Sequence, residues 1–317
     1  GVLVPASMDR EKLAVVKNYC TPDLTIEEVK CDEKTGCIDV ADLKAKLNDS
    51  IGVVYFENPN YFGGLEVSAR EIADAAHDAL AQCVVGVDPI SLGVVAVPHS
   101  YGADIVCGDL QPLGIHMNYG GGQSGFLVSM AVLEALTGQS GFMATMDDPT
   151  YVLEFPSRLF GICRTNTEGE YAFADVAYDR TSFGHLRDKA KEYVGTQTAL
   201  WGITAGVYLA TMGPKGMEEV GETIMQNAQY AAQKLAALPN VSLRFSAPFF
   251  KEFVLDFNKT GKTVEEINKA LLEKHIFGGK DLSRDFPALG QCAMYCVTEV
   301  HTKEDIDTLV SALSEIL

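Results

Sequence analysis

The chain has 317 residues, of which 47% are hydrophobic and 21% are charged. This composition is typical of a globular protein and excludes wholesale disorder. Its 25 lysines and arginines stand against 43 aspartates and glutamates, which gives a formal net charge of −18. A surface this acidic repels phosphate backbones and anionic lipid, so we expect neither nucleic acid nor a membrane among the partners.

The chain shows no sequence signal for a membrane or for secretion. No apolar run reaches the roughly 18–20 residues that a membrane helix needs. Residues 1–5 (GVLVP) have neither the basic region nor the cleavage site of a signal peptide. The eight cysteines are scattered and none forms a CxxC pair, so we expect reduced structural thiols and no metal site. A cytoplasmic protein is predicted.

Hydrophobic spacing predicts alternating strands and helices over the first 110 residues. The predicted strands are 2–5, 24–29, 51–56, 83–88 and 103–107, and the predicted helices are 9–19, 40–47 and 68–80. Near-continuous apolar strands are typical of a parallel sheet that is buried on both faces. Ser68, with Glu71 three residues later, predicts a capping box at the start of the third helix. The alternation predicts a wound α/β sheet.

The second half of the chain has a different order of predicted elements. A helical pattern over 182–210 is followed by a break at 212–216 (MGPKG) and a long helix over 217–238. Strands are then predicted at 241–245, 252–257 and 293–298, and helices at 263–274 and 303–317. We therefore predict a large α/β domain (1–215), a linking helix (216–238) and a small C-terminal α+β domain (239–317). Because the chain opens on a strand, we also expect an N-terminal part of the large domain to be missing.

Asp88 is the most informative single carboxylate, because it ends a buried strand. In open α/β folds ligands bind at the carboxyl edge of the sheet. Asp88 is placed there either to pair with a protonated ring nitrogen or a hydroxyl, or simply to cap the turn at Pro89. His116 lies just before a glycine-rich loop, 118–122 (NYGGG), which is either a phosphate cradle or a flexible turn. The GxGxxG, GxxxxGK[ST], HExxH and GxSxG motifs are absent.

Several short motifs occur in the same order as in one enzyme family. They are ENPNYFG (57–63), VDPISL (87–92), YGADIVCGD (101–109), QPLG (111–114), YGG (119–121), PSRLFG (156–161), FGG (277–279), RDFP (284–287) and CVTE (296–299). Together they closely resemble the P-protein of the glycine cleavage system, in particular the alpha chain (subunit 1) of split prokaryotic enzymes. The resemblance covers nearly the whole chain.

The resemblance implies a pyridoxal-phosphate-dependent transferase fold of type I, like that of aspartate aminotransferase. The family decarboxylates glycine and passes the aminomethyl group to the lipoyl arm of the H-protein. In split enzymes the homologous beta chain (subunit 2) carries the Schiff-base lysine after a histidine. Here His116 aligns with that histidine and Met117 with the lysine, and a thioether cannot form a Schiff base. The resemblance therefore implies that pyridoxal phosphate is held on the partner chain, with Asp88 and His116 as relics of a cofactor site.

The resemblance also indicates where this chain meets its partner. The residues expected at the interface or substrate channel are Asn118, Tyr119, Gly120, Gly121, Arg158 and Arg284. Fold type I enzymes commonly bind the substrate carboxylate with an arginine of the small domain, so Arg284 either takes that role or forms a surface pair with Asp281 or Asp285. The family normally begins roughly a hundred residues before the equivalent of Gly1, which agrees with a missing N-terminal part.

Two alternatives to a glycine decarboxylase alpha subunit stay open at this point. One is a catalytically inactive scaffold or regulatory paralogue that acts with another pyridoxal-phosphate partner. The other is an autonomous pyridoxal-phosphate enzyme with a different substrate. The second requires a Schiff-base lysine after a buried strand, and the sequence shows none.

Overall fold

A computed structural model describes residues 1–117, 124–129, 160–164, 171–175 and 197–317. The strands of this part are β1 (Val2–Pro5), β2 (Ile26–Val29), β3 (Val53–Glu57), β4 (Gln82–Val87), β5 (Ile105–Asp109), β6 (Gly125–Ser129), β7 (Phe160–Arg164), β8 (Tyr171–Asp175), β9 (Ser242–Leu243), β10 (Glu252–Asp256), β11 (Lys280–Asp281) and β12 (Cys292–Cys296). Its helices are α1 (Arg10–Cys20), α2 (Val40–Lys46), α3 (Ala69–Asp78), α4 (Gln197–Ala236), α5 (Val264–Glu273) and α6 (Lys303–Ile316).

Strands β1 to β6 build a six-stranded sheet in the order β2-β1-β3-β4-β5-β6. Neighbouring strands from β2 to β5 are parallel, and β6 pairs antiparallel with β5. Helices α1, α2 and α3 lie in the three connections between β1, β2, β3 and β4, as parallel pairing requires. The predicted wound α/β sheet is confirmed. Its parallel order brings the carboxyl ends of β3, β4 and β5 to one edge.

Both faces of this sheet are covered. On one face Ile72 and Ala73 of α3, both fully buried, pack with Phe56 and other strand residues in one core cluster. On the other face Leu13 of α1 packs with Val4 of β1. Strands β1, β3 and β4 contain no exposed residue, which explains why they lack the alternation of a half-exposed strand.

The C-terminal residues form a second, antiparallel sheet in the order β11-β12-β10-β9. Phe253 and Leu255 of β10 pack against helices α5, α6 and the second half of α4 through a single apolar cluster. Both α5 and α6 begin with a capping box, made by Thr263 with Glu266 and by Thr302 with Asp305. The small α+β unit predicted from the sequence is thus present, while its predicted boundaries at residues 215 and 238 stay a prediction.

The predicted break at 212–216 is confirmed as a kink inside α4. Gly213 has φ 61° and ψ −179°, which is not helical, and Pro214 follows it. A proline lacks the N–H that continues a helix and clashes with the preceding turn, so the helical ladder is interrupted where the sequence indicates. From there α4 runs to Ala236, close to the predicted end at 238.

The capping box predicted at Ser68 is wrong. Ser68 has φ −94° and ψ 17°, and its side chain makes no capping hydrogen bond. An N-cap normally has extended backbone angles that aim its side-chain oxygen at the first turn. Here the amide of Ala69 instead donates to the carbonyl of Glu66 at 3.1 Å, and Glu71 forms an ion pair with Lys44 at 2.7 Å.

Two negative findings apply to the described part of the chain. None of its helices combines the length and the apolar character needed to cross a membrane. The seven cysteines whose side chains it describes are not joined in disulfides, and the reduced state expected from the sequence stays a prediction.

Candidate functional site

A cavity of about 530 Å³ opens at the carboxyl edge of the parallel sheet. Its walls come from the ends of β3, β4 and β5, from α1, and from β10 and β12 of the second sheet. Its charged lining consists of four carboxylates and two lysines: Glu57, Asp88, Asp109, Glu252, Lys12 and Lys251. This is the edge at which open α/β sheets bind their ligands, so it is the candidate site.

Asp88 follows β4 directly and lines this cavity, as the sequence predicts. Its Oδ1 accepts a hydrogen bond from the amide of Ile90 at 2.9 Å, which is the turn-capping arrangement. Its Oδ2 forms an ion pair with the Nζ of Lys251. Both carboxylate oxygens therefore have partners within the chain, and the side chain is only 13% exposed.

Lys251 reaches the site from the second sheet, immediately before β10. Its ammonium also lies 3.7 Å from Oε1 of Glu252. Burial alone lowers the pKa of a lysine, but the charges of Glu252 and Asp88 outweigh it and raise the pKa of Lys251 above its ordinary value. Burial raises the pKa of Glu252, and Lys251 opposes that rise. Lys251 therefore stays an ammonium between two carboxylates.

A second ion pair lies across the cavity. The Nζ of Lys12 on α1 contacts Oε1 of Glu57, the last residue of β3. The hydroxyl of Tyr55 donates to the same oxygen at 3.1 Å, and burial together with the nearby Glu57 raises the pKa of Tyr55. Tyr55 thus stays a neutral donor. Glu57 is buried, and both contacts are made to the same carboxylate oxygen.

The loop between β3 and α3 forms one wall of the site and is held by side-chain hydrogen bonds. Oδ1 of Asn60 accepts from the amides of Phe62 and Gly64, both at 3.0 Å. Nδ2 of Asn60 donates to Glu66 at 3.3 Å. Gly63 has φ +86°, and a Cβ there would overlap the carbonyl oxygen of Glu252. The loop and the first residue of β10 are therefore packed backbone to backbone.

The other residues predicted for the site fall elsewhere. His116 and Met117 are exposed, Met117 by 80%, and neither is among the residues that line the cavity. Asn118, Tyr119, Gly120, Gly121 and Arg158 lie outside the described residues. The alignment of Met117 with the Schiff-base lysine of the beta chain stays a prediction.

Arg284 is exposed and forms no hydrogen bond or ion pair within the part of the chain that the structure describes. The expected surface pair with Asp281 or Asp285 is not seen there. Asp285 is instead paired with Lys280, whose Nζ lies 3.9 Å from Oδ2 of Asp285 and 3.7 Å from Oδ1 of Asp9. Lys280 also donates to the hydroxyl of Tyr61 at 2.7 Å. Among the described residues Arg284 is thus an unpaired cation, close in sequence to the Lys280 contact with Tyr61 at the wall of the site.

These residues do not fit pyridoxal phosphate. The carboxylate that would meet a protonated ring nitrogen is Asp88, but Lys251 already supplies it with a positive charge and the Ile90 amide donates to its other oxygen. Both lysines of the cavity are ion-paired, whereas a Schiff base forms from a neutral amine. A metal has no better fit, because no group of three or more His, Cys, Asp or Glu able to hold one is found in the described ranges.

Sequence reasoning missed Lys12, Lys251, Glu57 and Glu252. The rule that pointed to Asp88, a carboxylate ending a buried strand, applies equally to Glu57 at the end of β3. Lys251 and Glu252 carry a different signal. Two charges inside an otherwise apolar stretch, 249–254 (FFKEFV), need partners when they are buried.

Comparison with known proteins places the chain in a family. The model of the family described as "Glycine cleavage system P-protein" matches residues 1–313. A probable glycine dehydrogenase (decarboxylating) subunit 1 from Staphylothermus marinus is 36% identical over 318 residues, covering 100% of this chain and 64% of the relative. The protein of the same name from Pyrococcus furiosus is 38% identical over 317 residues, covering 99% of this chain and 65% of the relative. The chain thus spans less than two thirds of the length of these relatives.

Solved structures agree with this. The crystal structure of a glycine decarboxylase (P-protein) of the glycine cleavage system, in inhibitor-bound form, has a TM-score of 0.80 at 30% identity and covers 100% of this chain and 65% of that one. A NifS-like protein from Rickettsia africae has a TM-score of 0.64 at 13% identity, covering 99% and 75%, and shows the fold alone. The predicted fold, a pyridoxal-phosphate-dependent transferase fold of type I, is confirmed, and the chain belongs to the glycine cleavage system P-protein family.

Proposed function

We propose that this chain is the alpha-type component, or subunit 1, of a two-chain glycine dehydrogenase (decarboxylating). In that enzyme it supports the decarboxylation of glycine and the transfer of the aminomethyl group to the lipoyl arm of an H-protein. The observation that carries the proposal is similarity along the whole chain, both to the family model over residues 1–313 and to relatives named subunit 1.

The chemistry of the cavity supports a non-catalytic role for this chain within the complex. Lys12 is paired with Glu57, and Lys251 is paired with Asp88 and Glu252. An ammonium held in an ion pair is a poor nucleophile, because the lone pair that would attack an aldehyde carries a proton. We therefore place pyridoxal phosphate on a homologous lysine-bearing beta chain. The cytoplasmic location expected from the sequence stays a prediction.

The surface of α4 supports assembly with such a partner. Leu200, Ile203 and Val207 are 61–64% exposed, and their spacing of three and four residues puts them on one face of the helix. An exposed apolar face is a common feature of subunit interfaces. We propose that this face joins the beta chain in an interface of over about 2,000 Å², the range of permanent complexes. Arg284 and the 118–122 loop are proposed to lie in the same interface or beside the substrate channel.

The activity is tested by reconstitution. Glycine–bicarbonate exchange is measured for this chain alone, for a lysine-bearing homologue with its carrier, and for all components together. Exchange is expected only with all components. Exchange by this chain alone, or undiminished exchange without it, would contradict the proposed role.

The interface is tested separately by size-exclusion chromatography of the co-expressed chains. Ile203→Glu is expected to weaken co-elution, because it places a charge in the apolar face. Leu272→Glu is the matched control. Leu272 is also exposed, by 55%, but it lies on α5, which packs against the second sheet. Equal effects of the two substitutions, or none from either, would count against α4 as the interface.

A further inference from the structure

The ion pair with Lys251 gives Asp88 the kind of contact that the ring nitrogen of a bound cofactor would otherwise make with it. Asp88 follows β4, the strand flanked by β3 and β5, at the edge where ligands bind. A protonated pyridine nitrogen offers a carboxylate there one positive charge and one N–H donor. The ammonium of Lys251 supplies both to the Oδ2 of Asp88. The other oxygen is held by the amide of Ile90 at 2.9 Å.

The backbone that carries Lys251 is fixed on both sides. The amide of the preceding Phe250, whose side chain is fully buried, donates to the carbonyl of Gly63 at 3.1 Å. The carbonyl of Lys251 itself accepts from the amide of Val297 at 3.0 Å. The side chain is 21% exposed and lies between Asp88 and Glu252. Lys251 is therefore a built part of the cavity and not a surface lysine that swings over it.

We propose that the Lys251 ammonium occupies the position beside Asp88 that the ring nitrogen of a cofactor would take. The cavity therefore excludes the non-covalent binding of pyridoxal phosphate and of other protonated pyridines. If Met117 stands at the Schiff-base position, as the sequence predicts, its thioether removes only the covalent bond to a cofactor. Non-covalent binding is prevented by Lys251, because a second cation at Asp88 is repelled by the first and would have to share carboxylate oxygens that already have partners. This inference concerns residues of this chain alone and does not depend on the proposed glycine activity.

The test is binding of pyridoxine 5′-phosphate to the full chain by equilibrium dialysis. This probe keeps the ring nitrogen and the phosphate but has no aldehyde, so it cannot form Schiff bases with surface lysines. The unsubstituted chain is expected to show no saturable binding. Lys251→Met removes the internal cation and is expected to bind the probe saturably, with at least tenfold more probe bound than by the unsubstituted chain under the same conditions. In the double variant Lys251→Met/Asp88→Asn, which lacks the carboxylate, this binding is expected to be lost.

Two further variants serve as controls for charge and folding. Lys12→Met removes the other lysine of the cavity, which pairs with Glu57 and not with Asp88, and is expected to behave like the unsubstituted chain. Lys251→Gln keeps a polar side chain of similar length without the charge, and is expected to bind the probe if Lys251→Met does not fold. Circular dichroism verifies the fold of each variant.

The proposal is overturned by any of three results. These are saturable binding by the unsubstituted chain equal to that of the Lys251 variants, no binding by a folded Lys251 variant, and equal gains from Lys12→Met and Lys251→Met. The first would show that the cavity is open, and the second that something other than Lys251 closes it. The third would show a general charge effect.

Discussion

Glu66 gives a quantitative test of how the wall of the site is held. Its side chain is 4% exposed. It accepts hydrogen bonds from the Ile38 amide at 3.2 Å and from Nδ2 of Asn60 at 3.3 Å, and it forms no ion pair with any lysine or arginine among the described residues. Burial raises the pKa of Glu66 from 4.5 to about 7, although the hydrogen bonds of Asn60, Ile38 and Cys37 oppose the rise.

The direction of the resulting pH dependence follows from this shift. The folded chain holds a proton on Glu66 at pH values where the unfolded chain has lost it, so the free energy of unfolding falls as pH rises from 4.5 to about 7. One unit of pKa corresponds to about 1.4 kcal/mol. Ionisation of Glu66 therefore opposes folding by less than about 1 kcal/mol at pH 5 and by about 3 kcal/mol at pH 8.

Glu66→Gln keeps the shape and an acceptor oxygen but cannot ionise. Urea unfolding of this variant and of the unsubstituted chain is measured at pH 5 and pH 8. The stability of the variant relative to the unsubstituted chain is expected to increase by about 2 kcal/mol between the two pH values. Any constant cost of the new amide cancels in this comparison. Glu71→Gln is the control, because Glu71 is a solvent-exposed partner of Lys44. A Glu66→Gln difference that stays constant with pH would refute the reasoning.

Two further predictions concern the loop and Arg284. In urea unfolding, Gly63→Ala is expected to destabilise the chain by about 2 kcal/mol more than Gly261→Ala. Both glycines have positive φ, but a Cβ at Gly63 would overlap the backbone of Glu252, whereas a Cβ at Gly261 would meet open space. Equal losses of stability would show that the contact with Glu252 relaxes freely. Arg284→Ala is expected to change unfolding by no more than about 0.5 kcal/mol and to lower glycine–bicarbonate exchange of the reconstituted enzyme about tenfold, or about 1.4 kcal/mol. The exposed Lys259→Ala serves as its control, and unchanged exchange would remove Arg284 from the site.

The fold was predictable because its signals are local. Strands that are buried on both faces appear in the sequence as short apolar runs. Each run is followed by apolar residues at helical spacing or by a turn. The kink at Gly213 was predictable for the same reason, since glycine and proline act on their own backbone. The capping box at Ser68 failed because a cap depends on the backbone angles of one residue. Those angles are set here by the turn from Glu66, which the Ser-x-x-Glu pattern does not contain.

The sequence predicted one carboxylate of the site, Asp88, but not the lysine that pairs with it. Asp88 could be placed because the end of a buried strand determines where a carboxylate lies. Lys251 is 163 residues away in sequence, and no spacing rule connects the two. What the sequence does contain is a requirement, because a carboxylate in a mostly buried position needs a cation or donors. Asp88, Glu252 and Glu57 together require positive partners, although their spacing does not say which lysines these are.

That requirement also gives Asp88 a role in the folded chain. A carboxylate retained only as a relic of a cofactor site would be left buried without the cofactor's charge, and such a group is costly. The ion pair with Lys251 offsets this cost and connects the parallel sheet with the residue before β10 of the second sheet. A buried carboxylate at this position needs a counter-ion whether or not a cofactor is bound, and in this chain Lys251 supplies it.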